Sequence, residues 1–321
     1  MSRLGVTALA MLIASCSSQS TRGIEVDASQ CSDAIDNDGD GRTDCDDPAC
    51  TVHPWCGGSG VDGGGSPLDA GGSRPDAQIP RFDATSSCSA PLDVVFVIDV
   101  STSMRDEISG IRTGIDTIWT TAQSLTTNTQ FSLVVFVDNA VAVNGCAPFA
   151  TVAAMQTELM TWQSFTSSNG QPNGGPSNSD CAENSLDALH LAATTCPWRT
   201  GSTRVVIHIT DDTFAERPAT LSGVFGIGGI PVQRTYAETV SALVERELRI
   251  GAFAAPGEGE YCGAGTSPDV GRGFHDPYLG MPSLPTATGG RAWSIREVRD
   301  GSLDMAAAIS ALLVDEYCTL F

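Results

Sequence analysis

The sequence predicts an α/β domain on a doubly wound, mostly parallel sheet, preceded by a small disulfide-rich acidic module and a flexible linker. Three observations predict it. Short apolar, β-branched runs at 92–98, 131–137 and 204–210 read as strands covered on both faces. Stretches with helical spacing separate them, such as Ile108, Ile111, Ile115 and Ile118 within 104–125. Composition changes at Cys88, from Gly, Ser, Pro and Asp to the regular alternation that continues to the C-terminus.

The elements follow in order. Residues 92–98 form the first strand, 104–125 the first helix and 131–137 the second strand. Leu186, Leu189 and Ala193 mark a helix before the strand at 204–210. A helix at 236–248, strands at 249–254 and 291–295, and a last helix at 305–314 complete the domain. Strands joined through helices run parallel, and such sheets collect ligands at their C-terminal edge. The chain therefore divides into 1–15, 16–30, 31–56, 57–87 and 88–321, read in turn as a signal peptide, a tether, a Cys/Asp module, a linker and the α/β domain.

Charge narrows the partners. The 38 acidic residues face 17 basic ones, all of them arginine, for a net charge of −21. Phosphate neutralisation needs a basic face, so nucleic acid is excluded as a partner and cations are favoured. Eleven cysteines point to an oxidising compartment.

The first segment reads as an address. Arg3 precedes an apolar run from Leu4 to Ala14, too short to span a bilayer. It ends Ile13-Ala14-Ser15-Cys16, which resembles the lipobox of bacterial lipoproteins. That resemblance implies lipidation at Cys16, and Ser17 after it implies the outer membrane or cell surface. Ten cysteines then remain, an even number.

The acidic module carries a spaced set of oxygens. Asp36, Asp38, Asp40, Arg42, Asp44 and Asp47 occupy loop positions one, three, five, seven, nine and twelve of an EF-hand template, with Gly41 at six. Arg42 serves through its carbonyl, and Asp47 replaces the usual glutamate. Calcium suits such a flexible cage of hard oxygens. Cys31, Cys45, Cys50 and Cys56 bracket the loop and allow three pairings. The segment resembles short Asp-rich, Cys-bounded repeats of bacterial surface lipoproteins.

The main constellation begins where the first strand ends, at Asp99-Val100-Ser101-Thr102-Ser103. Alternate residues of a tight strand-to-helix turn aim oxygens at one point, and two of them are neutral hydroxyls. This motif is similar to the metal-ion-dependent adhesion site of von Willebrand factor A domains, whose sheet is Rossmann-like. The resemblance implies a central Mg2+ (or Mn2+) held by Asp99, Ser101, Ser103, Glu183 and Asp211, some of them through water. The segment Asn178-Ser179-Asp180-Cys181-Ala182-Glu183 resembles most closely the loop of integrin β-subunit inserted domains, with Ala182 where that loop has proline. It implies a flanking Ca2+ at Asp138, Asn178, Asp180 and Glu183, and a second flanking ion at Asp106 and Glu107.

Ordinary structural roles are open to each of these residues. Asp99, Ser101, Ser103 and Asp211 could be helix caps. Asp106 and Glu107 could favour the positive end of the first helix. Asp180 and Glu183 could be a capping pair. Their joint occurrence at one sheet edge favours the metal.

Of the dispersed His53, His190, His208 and His275, His208 lies mid-strand and reads as a satisfied core residue. No nucleophile elbow is present. Cys88, Cys146, Cys181, Cys196, Cys262 and Cys318 allow three disulfides, with Cys88–Cys318 favoured because domain termini lie close together. The sequence thus points to a lipid-anchored surface protein, not an enzyme, that binds the acidic group of a protein ligand through a cation. The rival readings are a metal-assisted hydrolase and a structural envelope lipoprotein with a vestigial site.

Overall fold

The computed structural model describes residues 89–179, 181–222, 228–257 and 271–319. The chain divides into two units, Met1–Arg81 and Phe82–Phe321, and the described residues belong to the second. The signal and lipidation segment with Cys16, the loop from Asp36 to Asp47 with its four cysteines, the linker, Cys88, Asp180 and Cys262 lie outside the described residues.

A six-stranded sheet organises the domain, with strand order β10-β9-β5-β1-β2-β3. Its strands are β1 (Leu92–Asp99), β2 (Thr129–Phe136), β3 (Ala140–Ala142), β5 (Thr203–Ile209), β9 (Arg249–Ala254) and β10 (Arg291–Ser294). All neighbours pair in parallel except β3, which returns antiparallel onto the end of β2 and forms one edge. Two small ribbons lie outside this sheet: β4 (Ala182–Glu183) beside β6 (Thr213–Phe214), and β7 (Thr220–Leu221) beside β8 (Ile230–Pro231). The helices are α1 (Arg105–Leu125), α2 (Val152–Phe165), α3 (Ser185–Thr195), α4 (Tyr236–Glu245), α5 (Leu284–Ala287), α6 (Ile295–Arg299) and α7 (Met305–Glu316).

Alternation along the strands builds two hydrophobic layers. Val94, Phe96 and Ile98 of β1 face Ile108, Ile111, Ile115 and Ile118 of α1 and Ile309, Leu312 and Leu313 of α7. Val95 and Val97 face the opposite way, toward Leu186 and Leu189 of α3 and Leu243 of α4. All eight residues of β1 are buried, as the unbroken apolar run requires of a strand covered twice. The doubly wound prediction holds, and the antiparallel β3 is the exception within the sheet.

Close packing on the α1 side depends on one glycine. A methyl group at Gly114 would stand 2.4 Å from the Cβ of Ala306, so α1 and α7 cross nearly backbone to backbone. On the other side, α3 is fixed at both ends. Asn184 caps its N-terminus, accepting from Asp187 N, and donates its own backbone N–H to Val137 O. At the far end Cys196 is bonded to Cys146 across 50 residues. Cys318 is also disulfide-bonded.

The strand bases carry a second polar network. Asp93 is buried and accepts from the backbone N–H and Nε of Arg199 and from the Ser202 hydroxyl. Arg199 also bonds Asn128 and the Leu92 carbonyl, tying together the starts of three strands. No helix among the described residues is long and apolar enough to cross a membrane.

Candidate metal centre

Parallel register brings the site together. Asp99 of β1 pairs with Phe136 at the end of β2, and Ile98 pairs with Ile209 at the end of β5. The residues that follow these ends share one sheet edge: Ser101 and Ser103 after β1, Asp138 after β2, and Thr210, Asp211 and Asp212 after β5. The short ribbon β4–β6 delivers Glu183 to the same edge.

A chain of hydrogen bonds links the motif. Asp99 is fully buried, with Oδ1 accepting from Ser101 N at 2.7 Å and Oδ2 from the Thr210 hydroxyl at 2.9 Å. The Ser101 and Ser103 hydroxyls lie 3.0 Å apart, and Ser103 Oγ donates to Asp211 Oδ1 at 2.9 Å. Neither serine is spent on capping. Ser101 heads the short 3-10 turn without a side-chain cap bond, and the N-cap residue of α1 is Met104, whose side chain makes no cap bond. The capping alternative for the two serines is thus not what the structure uses.

Glu183 is released from capping too, because Asn184 does that work for α3. Its Oε1 accepts from Asn178 Nδ2 at 2.7 Å, while Oε2 is buried and has no hydrogen-bond partner among the described residues. A buried carboxylate oxygen left bare costs about 1–3 kcal/mol or more. Oxygen ligands of Asp99, Asp211 and Asp212 lie within 4.8 Å of one another. Crowding has the expected electrostatic result. Burial, then the neighbouring Asp211, pushes the Asp99 carboxyl up to about 7. Burial, then Asp211 and Asp99, pushes Asp212 up to about 9. Burial, then Asp99, Asp212 and Asp138, holds Glu183 well above the usual carboxylate range. Hard oxygens that repel one another, beside a buried carboxylate oxygen without a partner among the described residues and two hydroxyls that cap no helix, fit a hard divalent cation.

The flanking residues separate into two cases. Asp138 is fully buried, close enough to Glu183 to raise its pKa, and accepts from Gln171 Nε2 through Oδ2. Asn184 Nδ2 holds the Asp138 carbonyl at 2.9 Å. Asp138, Asn178 and Glu183 therefore come together as the sequence implies. Asp106 and Glu107 do not behave as a pair: Asp106 is exposed, whereas Glu107 is buried and its Oε1 accepts from Arg299 Nε. Arg299 also donates through Nη2 to Asp211 Oδ2 at 2.7 Å. Burial alone would lower the guanidinium pKa, yet the bonds to Glu107 and Asp211 hold it above its ordinary value.

Four residues of this neighbourhood were not predicted: Asp212, Thr210, Gln171 and Arg299. Asp212 could have been found from the Asp211-Asp212 doublet; the others carry no motif. His208 is a core residue, as expected: its ring is fully buried and stacked between Phe136 and Phe274, with the Val97 backbone as its polar neighbour. Burial lowers its pKa to about 3.

Residues 86–226 match the family model described as integrin beta-like protein A-E, vWA-like. Among solved structures, proximal thread matrix protein 1 from the mussel byssus shares 10% identity at a TM-score of 0.40, over 70% of this chain and 48% of that one. The same mussel protein, in a structure whose metal-ion-dependent adhesion motif is occupied by zinc, shares 18% identity at a TM-score of 0.35, over 53% and 37%. BatB from Bacteroides thetaiotaomicron shares 14% identity at a TM-score of 0.40, over 68% of this chain and 98% of that one. The chain spans about half the length of the first mussel structure, or less of the zinc form. No curated protein matches the chain. The family match runs from β1 past β6, over the strands that carry Asp99, Asp138, Glu183 and Asp211, so residues 86–226 are von Willebrand factor A-like and include the acidic cluster of Asp99, Asp211 and Asp212.

Proposed function

We propose that this domain binds an acidic group of a protein ligand through a divalent cation held by Asp99, Ser101, Ser103, Glu183 and Asp211, with Asp212 in the same cluster. The observation that carries the reading is the bare, buried Oε2 of Glu183 beside two hydroxyls that cap nothing. A bound Mg2+ or Mn2+ would supply a positive centre able to take a carboxylate oxygen from outside. The chain's own residues position that centre. The Ser101 amide and Thr210 hydroxyl fix both oxygens of Asp99, and Asn178 fixes one oxygen of Glu183. Asp138 and Asn178, with Glu183, would hold the flanking Ca2+.

Two serine hydroxyls keep the ligand set less negative than an all-carboxylate cage, so the cation retains attraction for an anion. On a chain of net charge −21, an acidic partner needs such a bridge. The function proposed is binding rather than catalysis, at the outer membrane or cell surface, with a lipid on Cys16 as the anchor. The calcium loop from Asp36 to Asp47 would be a second, independent ion site.

Isothermal titration of MgCl2 and MnCl2 into the chelator-stripped chain tests the central site, with Asp99→Ala as the comparison. Binding that disappears in Asp99→Ala is expected. Titrations that superimpose would sink the metal assignment. An immobilised acidic peptide retained in Mg2+ and released by chelator would then support the carboxylate step.

A further inference from the structure

We propose that Arg299 is a tethered cation of this site: its guanidinium joins Asp211 to Glu107, takes the place of a second flanking metal ion beside α1, and lowers the affinity of the central cluster for a divalent ion. The inference rests on the metal reading above.

The contacts are specific. Arg299 ends α6, and its side chain reaches three segments that are far apart in sequence. Nη2 donates to Asp211 Oδ2 at 2.7 Å and to the Ser103 carbonyl at 3.3 Å, and Nε donates to Glu107 Oε1. Ser103 belongs to the metal loop, Asp211 to the central cluster and Glu107 to the first turn of α1. The Glu107 side chain is 1% exposed, so its charge requires a partner in place, and the guanidinium is that partner. Asp106, the other half of the expected second site, faces solvent. Arg299 engages Glu107 Oε1, Glu107 Oε2 stays buried without a hydrogen-bond partner among the described residues, and Asp106 is turned outward, so the two acids do not converge as a pair on one ion there.

The same guanidinium acts on the central site. Asp211 Oδ2 is engaged by Arg299 and Oδ1 by Ser103, so an incoming cation must share this carboxylate with a charge already present. Like charges a few ångström apart in a partly buried site repel appreciably. Arg299 also relieves the crowding of Asp99, Asp211 and Asp212 when no ion is bound, since its guanidinium is bonded to the middle member of that cluster. It therefore favours the ion-free arrangement twice over. An arginine whose role was merely to orient ligands would have the opposite effect on affinity.

Calorimetric titration of MgCl2 into the stripped full chain tests this, using Arg299→Gln, Arg299→Lys, Glu107→Gln and Asp99→Ala, with circular dichroism reporting folding. Arg299→Gln is expected to bind roughly tenfold tighter than the parent, and Arg299→Lys to stay within about threefold of it. Equal or weaker binding by folded Arg299→Gln overturns the proposal. Should that variant not fold, Glu107→Gln decides: with its counter-charge gone the guanidinium repels the ion more, so affinity is expected to fall several-fold, and unchanged affinity overturns the proposal. If the parent and Asp99→Ala titrate alike, the metal reading itself fails. If only Asp99→Ala loses the ion while Arg299→Gln binds no tighter, the site stands and the role given to Arg299 does not.

Discussion

Replacing His208 with leucine should protect the domain against acid, and the size of the effect follows from where the ring sits. The imidazole is fully buried, stacked 5.5 Å from Phe136 and 5.2 Å from Phe274, and the Val97 backbone only partly offsets the cost of charging it there. Burial lowers its pKa from 6.5 to about 3. An unfolded chain takes up this proton near 6.5, whereas the folded chain refuses it until about 3. Stability must therefore fall as pH drops through that window, at ~1.4 kcal/mol per pH unit, and this group adds nothing further below it. The whole window amounts to about 5 kcal/mol, a large share of the 5–15 kcal/mol typical of a domain. Leucine cannot take the proton. Its imperfect packing costs under ~1.5 kcal/mol. Urea unfolding followed by tryptophan fluorescence, in chelator, at intervals from pH 8 to pH 3.5, reads the effect. The carboxylates titrate in both proteins and cancel in the difference. The advantage of His208→Leu should be near zero at pH 8 and widen steadily below 6.5. A difference that stays constant across the range would refute the reasoning.

Two further perturbations probe the scaffold. Asp93→Ala strips the buried acid from Arg199, Ser202 and the strand starts, and should lower unfolding free energy by about 3 kcal/mol in a urea titration; a loss under ~0.5 kcal/mol would count against the network. Gly114→Ala places a methyl 2.4 Å from Ala306 Cβ and should cost about 1–3 kcal/mol, read as a lowered melting temperature. An unchanged melting temperature there would mean that α1 and α7 can separate freely.

The central carboxylates were legible in the sequence because each follows an apolar run that could only be a buried strand. Asp99 and Asp211 declare themselves this way. Glu183 needed the resemblance of its loop, since a two-residue strand such as β4 has no period to read. The helix α2 went unread because only Met155 and Leu159 of its fourteen residues are buried, too few to mark a face. The edge strand β3 is three residues long and no signal separates it from a turn. Arg299 is 88 positions from Asp211 and 192 from Glu107, and a solitary arginine on a short helix has no pattern to betray it. The aromatic stacking around His208 was equally invisible, because a sequence shows that a residue is in a strand but not which rings meet it there. Asp212 was visible but eclipsed by the acid before it.

The two anchors of α3 have an evolutionary consequence. With one end stapled through Cys146–Cys196 and the other locked by Asn184 onto β2, the helix stands as a post independent of the residues that precede it. The stretch 166–179 precedes that post, and its Asn178 bonds Glu183. Natural variation can rewrite this stretch, lengthening or recolouring the rim around the ion, without reopening the question of how the domain folds. Diversity among relatives should concentrate there, as changeable bits do in a drill with one chuck.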